Sequence, residues 1–455
     1  MSEQMDNWIG AMPSLGNIRE SLALAESLAS ASLLTSPGAK RRLAARRLEM
    51  GEDPSAAGVY VPPKHLLLYL VRMGSFTSAP KILNEDTQDA DVELPERMSR
   101  DELLQHCHQQ LLNYPSLVKR CFRRLSQQFG DTASGLRVLQ WNVLSRVCGE
   151  AVSSPYHIRV LQWNVLSQAL GQMNDNFVCC PDEALEWRSR RYHMVEELVG
   201  YCPDILCLQE VDHFNFLKKV LGSQGYSGMF FPKPDSPCLY IKGNNGPDGC
   251  AIFFRDDKFE LLKAETRILE VWRVQSNQVA VIMLLRVRET GQEICVATTH
   301  LKARNGALLS TLRNEQGKDL LDFVMSHCGG RPVIICGDFN AEPTEPVYLT
   351  ILSNRVLRLA SAYAASGSAS SHCDVTESAM REPPYTTWKI REEGEVCHTI
   401  DYVFYSQDTF TVEAVLDFPS GEEIGEGRVP SFNYPSDHFS LVCDFRFKNT
   451  SAMES

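Results

Sequence analysis

The chain has no apolar run approaching the roughly 20 residues that a membrane-spanning helix needs. Its longest candidate, residues 66–71, is short and flanked by Lys64 and Arg72, so no membrane span is expected. Secretory signals open with a basic segment, whereas the first six residues carry Glu3 and Asp6. Paired C-x-x-C spacing is also missing, although the chain holds 15 cysteines. An odd count scattered through apolar runs such as 205–208 and 334–336 reads as small buried hydrophobes in a reducing compartment. That pattern argues against a disulfide framework and a cysteine-zinc site. Basic excess is the last absence: a formal charge of −12 opposes any large sequence-independent grip on nucleic acid. An anionic ligand must therefore be met by a local cluster of cations.

What remains is ordinary globular material, 44% apolar and 22% charged, enough to bury a core over most of the length. Residues 1–155 follow no regular pattern and read as a poorly ordered extension. One helix is expected inside it, near 99–112, because Ser99 and Glu102 make a capping box ahead of Leu103, Leu104, Leu111 and Leu112. The basic run at 40–47 suits an organelle-targeting segment, but Glu3, Asp6, Glu20 and Glu26 lie upstream. Cytosol and mitochondrion both stay open. Residues 73–78 match an acylation pattern at Gly74, silent unless translation begins at Met73.

One repeat is present: Arg137–Ser145 recurs as Arg159–Ser167, 22 residues later. Two copies are too few for a solenoid, and one central strand position cannot be filled twice. The second copy is expected to be the native strand, since the regular pattern continues from it. From 156 to 448 short apolar runs alternate with helical segments, as in layered α/β folds, with 449–455 as a tail. Strands are expected at 160–161, 205–208, 252–254, 279–285, 294–297, 333–336, 400–405 and 439–447. A helix is expected over 182–200 with Asp182 as N-cap, and another over 308–327, closed by Gly329-Gly330. The stretch 365–382 reads as a surface loop.

Polar residues cluster at the strand ends. Asn164, Glu210, His300, Asp338 and Asn340 each follow an apolar run, and Asp437-His438 precedes the last one. Strand ends are where α/β sheets bind ligands. Singly, such residues are common turn formers. Together they supply the hard oxygen donors that magnesium prefers and the acid/base groups that hydrolysis needs.

The motifs Gln162-Trp-Asn164, Leu208-Gln-Glu210, Thr299-His300-Leu-Lys302, Gly337-Asp338-Phe-Asn340, Ile400-Asp401-Tyr and Ser436-Asp437-His438 stand in one order. That ordered set resembles the endonuclease/exonuclease/phosphatase superfamily. The resemblance implies a four-layer α/β sandwich, two face-to-face β-sheets flanked by helices. Glu210 would hold Mg2+ and the substrate beside it, assisted by Asn164. Asp338 would position and deprotonate the attacking water, while Asn340 holds the phosphate. His438, oriented by Asp401, would stabilise the charge developing on the phosphoryl oxygens, and Asp437 and His300 would complete the shell.

Further matches, among them Phe231-Pro-Lys233-Pro, Leu301-Lys302-Ala-Arg304 and Pro384–Arg391, resemble one branch of that superfamily. The branch holds NADP(H) 2′-phosphatases and poly(A)-specific 3′-exonucleases. There the positions matching Lys233, Asn277, Lys302, Arg304 and Arg391 contact the dinucleotide. The resemblance thus implies a magnesium-dependent phosphohydrolase that turns NADP+ and NADPH into NAD+ and NADH. A poly(A) deadenylase is the alternative; acidic charge and the lack of a leucine-rich repeat or RNA-binding module tilt towards the small dinucleotide. A catalytically silent interaction protein would have lost one of Glu210, Asp338, Asn340 or His438, and all are present.

Overall fold

In the computed structural model the described residues are 95, 97–125, 154–173, 175–365 and 375–448. The first repeat copy at 137–145, the basic run, the acylation pattern and the tail lie outside them.

Two large sheets carry the molecule. The first contains β1 (Phe122–Arg124), β2 (His157–Asn164), β3 (Ile205–Val211), β4 (Tyr226–Pro232), β5 (Gly249–Arg255), β14 (Phe410–Leu416) and β15 (Leu441–Phe447), in spatial order β1-β14-β15-β2-β3-β5-β4. The second contains β6 (Phe259–Val271), β7 (Val274–Val287), β8 (Glu293–His300), β9 (Val333–Asp338), β10 (Leu359–Ser361) and β13 (Asp401–Ser406), in order β10-β13-β9-β8-β7-β6. A separate hairpin joins β11 (Thr387–Arg391) to β12 (Gly394–His398). The second repeat copy supplies β2, between β15 and β3.

The layers follow from alternation. Successive strand residues point to opposite faces, so Ile158 and Val160 of β2 join Cys207, Val281, Val296, Ile334 and Val403 in a core between the sheets. Leu161 and Trp163 turn outward to a second core beneath α1 (Arg100–Gln110), α4 (Trp187–Gly200) and α5 (Phe214–Ser223). On the far side, α6 (Ala307–Cys328) and α7 (Pro346–Leu352) cover β7, β8 and β9. The result is the four-layer sandwich.

Several elements differ from expectation. The helix over 182–200 is broken at Glu186, whose extended backbone separates α3 (Asp182–Leu185) from α4, and Pro181 takes the N-cap place expected for Asp182. The expected loop at 365–382 contains α8 (Val375–Arg381). Strand β6 escaped notice because Glu, Lys and Arg line the solvent face of this sheet edge, a common protection against edge-to-edge pairing.

The largest difference is at the N-terminal side, where the domain starts well before 156. Helix α1 has the expected capping box on Ser99 and Glu102, and Leu103, Cys107, Leu111 and Leu117 enter the outer core. Strand β1 extends the first sheet on β14. Between them the fully buried Arg120 donates to Glu197 Oε1 at 3.2 Å, Ser440 Oγ at 2.9 Å, Ser440 O at 2.7 Å and Asp417 O at 3.0 Å. Local periodicity could show α1 as a helix but not the surface it covers.

Removing one partner of a buried ion pair leaves the other charge stranded. Arg120→Ala is therefore expected to destabilise the fold by about 3–5 kcal/mol, read from the urea midpoint. A midpoint unchanged from the parent would mean that residues 97–125 are dispensable for stability.

Candidate active site

At one end of the sandwich the inter-sheet face turns polar. Along β2 the inward positions run Ile158, Val160, Gln162, Asn164; along β8 they run Ile294, Val296, Thr298, His300; along β9, Ile334, Cys336, Asp338. Each strand is buried almost to its end, so these side chains must satisfy one another. Gln162 Nε2 donates to Asp401 Oδ1 at 3.0 Å, and Gln209 Nε2 to Thr298 Oγ1 at 2.9 Å, both across the sheets.

The centre of the site is the Asn164 amide. Its Nδ2 donates to Glu210 Oε1 of the first sheet and to Asp338 Oδ2 of the second, each at 3.0 Å. Glu210 stands at a β-bulge in β3 with φ of 54°, and Asn340 follows β9 with φ of 48°. Left-handed backbone at Glu210 is costly and marks a position held for its side chain. A side chain at Gly337 would run into Thr299 O, so glycine lets β8 close on β9 beside Asp338.

His438 Nδ1 donates to Asp401 Oδ2 at 2.8 Å, and Asp401 also accepts from Thr386 Oγ1 at 2.7 Å. His438 Nε2 then faces Asp338 Oδ2 at 3.8 Å and Asp437 Oδ2 at 3.7 Å. Burial pulls the imidazole down, but Asp401, Asp437 and Asp338 together raise it to about 9, so it is an imidazolium at neutral pH. Burial drives Asp338 up to about 7; Asp401 adds to the rise, while His438 and the Asn164 amide oppose it. A carboxylate titrating there is poised to take a proton. His300 is held well below its ordinary value by burial, Lys233 and His438, and is neutral. Its Nε2 lies 2.9 Å from Asn340 Nδ2.

Two places could hold a cation. Asp338, Asp401 and His438 bring ligand atoms within 4.8 Å of one another. Asp401 is already spent on three hydrogen bonds, and a protonated His438 repels a metal, so this group works as an orienting pair beside a carboxylate. Glu210 fits better. It is half-buried, and amides rather than cations bond it: Asn164 Nδ2 on Oε1, and Ser167 N on Oε2 at 3.1 Å. With Asn164 and Asp338 it offers the hard oxygen donors that suit magnesium.

The expected cations form two groups. Lys233 pairs with Asp248 at 2.7 Å and lies 3.4 Å from His300 Nδ1. Burial pulls Lys302 down to about 8, and the charges of Arg304 and Lys233 add to the fall. Arg304 is exposed at their rim, and the chain there is clamped by Arg313, which donates to Arg304 O at 2.7 Å. Asn277 is buried and accepts from Asp235 N at 3.0 Å. Arg391 belongs to the other group, 3.8 Å from Asp437 Oδ2.

Three participants escaped sequence reasoning. Lys389 pairs closely with Asp437; although burial opposes ionisation of Asp437, Lys389, His438 and Arg391 hold its carboxyl well below the usual range. Arg190, fully buried, donates to Pro435 O at 2.6 Å and to Val165 O and Leu166 O at 2.7 and 2.6 Å, tying the His438 loop to the Asn164 loop. Asp175 lies 3.4 Å from Arg391 Nη2, and burial pushes it up to about 7 against the pull of Arg391. Lys389 stood inside the motif at 384–391; nothing local marked Arg190 or Asp175.

The endonuclease/exonuclease/phosphatase family pattern matches residues 161–438. Nocturnin of Drosophila melanogaster is 55% identical, over 93% of this chain and 72% of that protein. The chain belongs to the nocturnin family. The human nocturnin catalytic domain, solved with a bound sulfate anion, is 39% identical with a TM-score of 0.54, covering 72% of this chain and 98% of that one. ANGEL2, a 2′,3′-cyclic phosphatase solved with adenosine-2′,3′-vanadate, shares the fold at 22% identity and a TM-score of 0.53, over 73% of this chain and all of that one. The site of this nocturnin homologue thus lies within the region that the family pattern matches.

The imidazolium yields a test by pH. His438 is raised above its ordinary value, so its charge persists at neutral pH and is lost as pH rises through about 9. Hydrolysis should fall along that limb, and Asp401→Asn, which removes the largest raising charge, should shift the limb to lower pH. A pH–rate profile whose alkaline limb ignores the substitution would detach His438 from the chemistry.

Proposed function

We propose that this chain removes the 2′-phosphate of NADP+ and NADPH, giving NAD+ and NADH, with magnesium as cofactor. The observation that carries the reading is the gathering of Glu210, Asp338 and His438 with two groups of cations beside them: Lys233, with Lys302 and Arg304, next to His300, and Arg391 next to Asp437. A chain of net charge −12 that gathers cations at its carboxylate centre is built for a small anion with more than one phosphate. Kinship to nocturnin supports the hydrolytic class.

Each residue then has a task. Glu210, with Asn164 beside it, holds the magnesium, which when bound neutralises charge on the phosphoryl oxygens. Asp338 accepts a proton from the attacking water. The phosphorus–oxygen bond to the ribose 2′-oxygen breaks as the bond to the water oxygen forms, and the departing 2′-oxygen takes a proton from solvent water to become the hydroxyl, while Asp338 returns its proton to solvent. Asn340 holds the phosphate, and the His438 imidazolium, aimed by Asp401, meets the charge developing on it. Asp437, held ionised by Lys389, joins Asp401 and Asp338 in keeping His438 charged. Lys233, Asn277, Lys302, Arg304 and Arg391 hold the parts of the dinucleotide that do not react, and neutral His300 supports Asn340.

The test is phosphate release from NADPH with magnesium by the full chain, run beside 3′-labelled poly(A) and an Asp338→Ala control. Release that disappears in the control while poly(A) stays intact is the expected result. Shortening of poly(A) without phosphate release would replace the reading by RNA decay. Glu210→Ala is expected to abolish magnesium-dependent turnover and leave the melting temperature in metal-free buffer unchanged or raised, because one of several neighbouring carboxylates is gone. Turnover surviving that change would remove Glu210 from the metal site.

A further inference from the structure

Arg391 is under-bonded for a guanidinium only partly open to solvent. Its buried Nε has no hydrogen-bond partner among the described residues, and its Nη2 reaches two carboxylate oxygens only loosely, Asp175 Oδ1 at 3.4 Å and Asp437 Oδ2 at 3.8 Å. Asp437 is already taken by Lys389, two residues earlier on the same face of β11. Asp175 is therefore the carboxylate that balances Arg391, and both remain partly open, with side-chain exposures of 18% and 32%.

The segment carrying Asp175 is seated against the same strand. Phe177 forms an antiparallel bridge with Arg391, and the guanidinium lies 5.4 Å from the Phe177 ring centroid. Asp175 N donates to Leu170 O at 3.0 Å. These contacts hold the segment that presents the carboxylate to Arg391, and guanidinium groups take carboxylate and phosphate through the same paired geometry.

We propose that Asp175 is an internal stand-in for substrate phosphate: it occupies Arg391 in the free protein and yields it to an incoming phosphate of the ligand. The exchange makes Asp175 a specificity-determining residue. Ligands carrying a phosphate or diphosphate that can satisfy Arg391 displace the carboxylate, while neutral nucleosides cannot. The proposal rests on the phosphate-binding role given to Arg391 above.

Its test separates the two. Asp175→Asn keeps the shape and removes the competing charge, so in metal-free buffer above pH 7, where Asp175 is ionised, inorganic pyrophosphate should bind about fivefold more tightly by calorimetry, the change expected for one weak ion pair of about 1 kcal/mol. KM for NADPH should fall by a similar factor, with kcat changed less. In an Arg391→Ala background the same substitution should change neither value. Weaker or unaltered pyrophosphate binding in Asp175→Asn, or tightening that persists without Arg391, overturns the proposal. Asp175→Ser gives the same reading should the asparagine variant fold poorly. Pyrophosphate binding needs no turnover, so inactivity towards NADPH would sink the proposed reaction and leave this exchange standing or falling on its own.

Discussion

Everything at this site hangs on one amide. Asn164 Nδ2 bonds a carboxylate from each sheet, Glu210 and Asp338, and so converts a seam between two layers into a single acidic centre. Two carboxylates brought together in a buried place repel, and one of them ordinarily takes up a proton. A shared N–H donor lowers that cost for both while fixing their separation. Ser436 Oγ donates to Asn164 O at 2.7 Å and Arg190 binds the next two carbonyls, so the backbone around the amide is itself pinned to the loop that carries His438.

The electrostatics follow from that centre outward. Acids stand here beside cations: Lys389 beside Asp437, His438 between Asp401 and Asp338, Arg391 between Asp175 and Asp437. The alternation keeps His438 charged and Asp338 near the point of gaining a proton.

The candidate residues were legible because strand chemistry is local. A run such as Val333–Cys336 followed by Gly337-Asp338 announces both a buried strand and the polar group at its end, and six such endings in order named the family. Lys389 was within reach, two residues before Arg391 in a motif already singled out. Arg190 was not: on α4 it reads as an ordinary surface arginine, and only the packing of α4 against β2 and the 435–438 loop buries it. Asp175 precedes Phe177 in a segment with no periodicity, and its meaning comes entirely from β11, which folds back over 200 residues later in the chain.

By itself the sequence determined the alternation that makes two sheets, the identity of the groups at their polar ends, and the choice of the second repeat copy for β2, because these depend on neighbours within a few residues. The tertiary structure alone decided that residues 97–125 belong to the folded domain, through Arg120 reaching Glu197 and Ser440. It likewise decided which acid faces which cation. Both are matters of long-range contact between segments whose local patterns carry no record of their partners, and only the closing of the two sheets brings those partners within a hydrogen bond of each other.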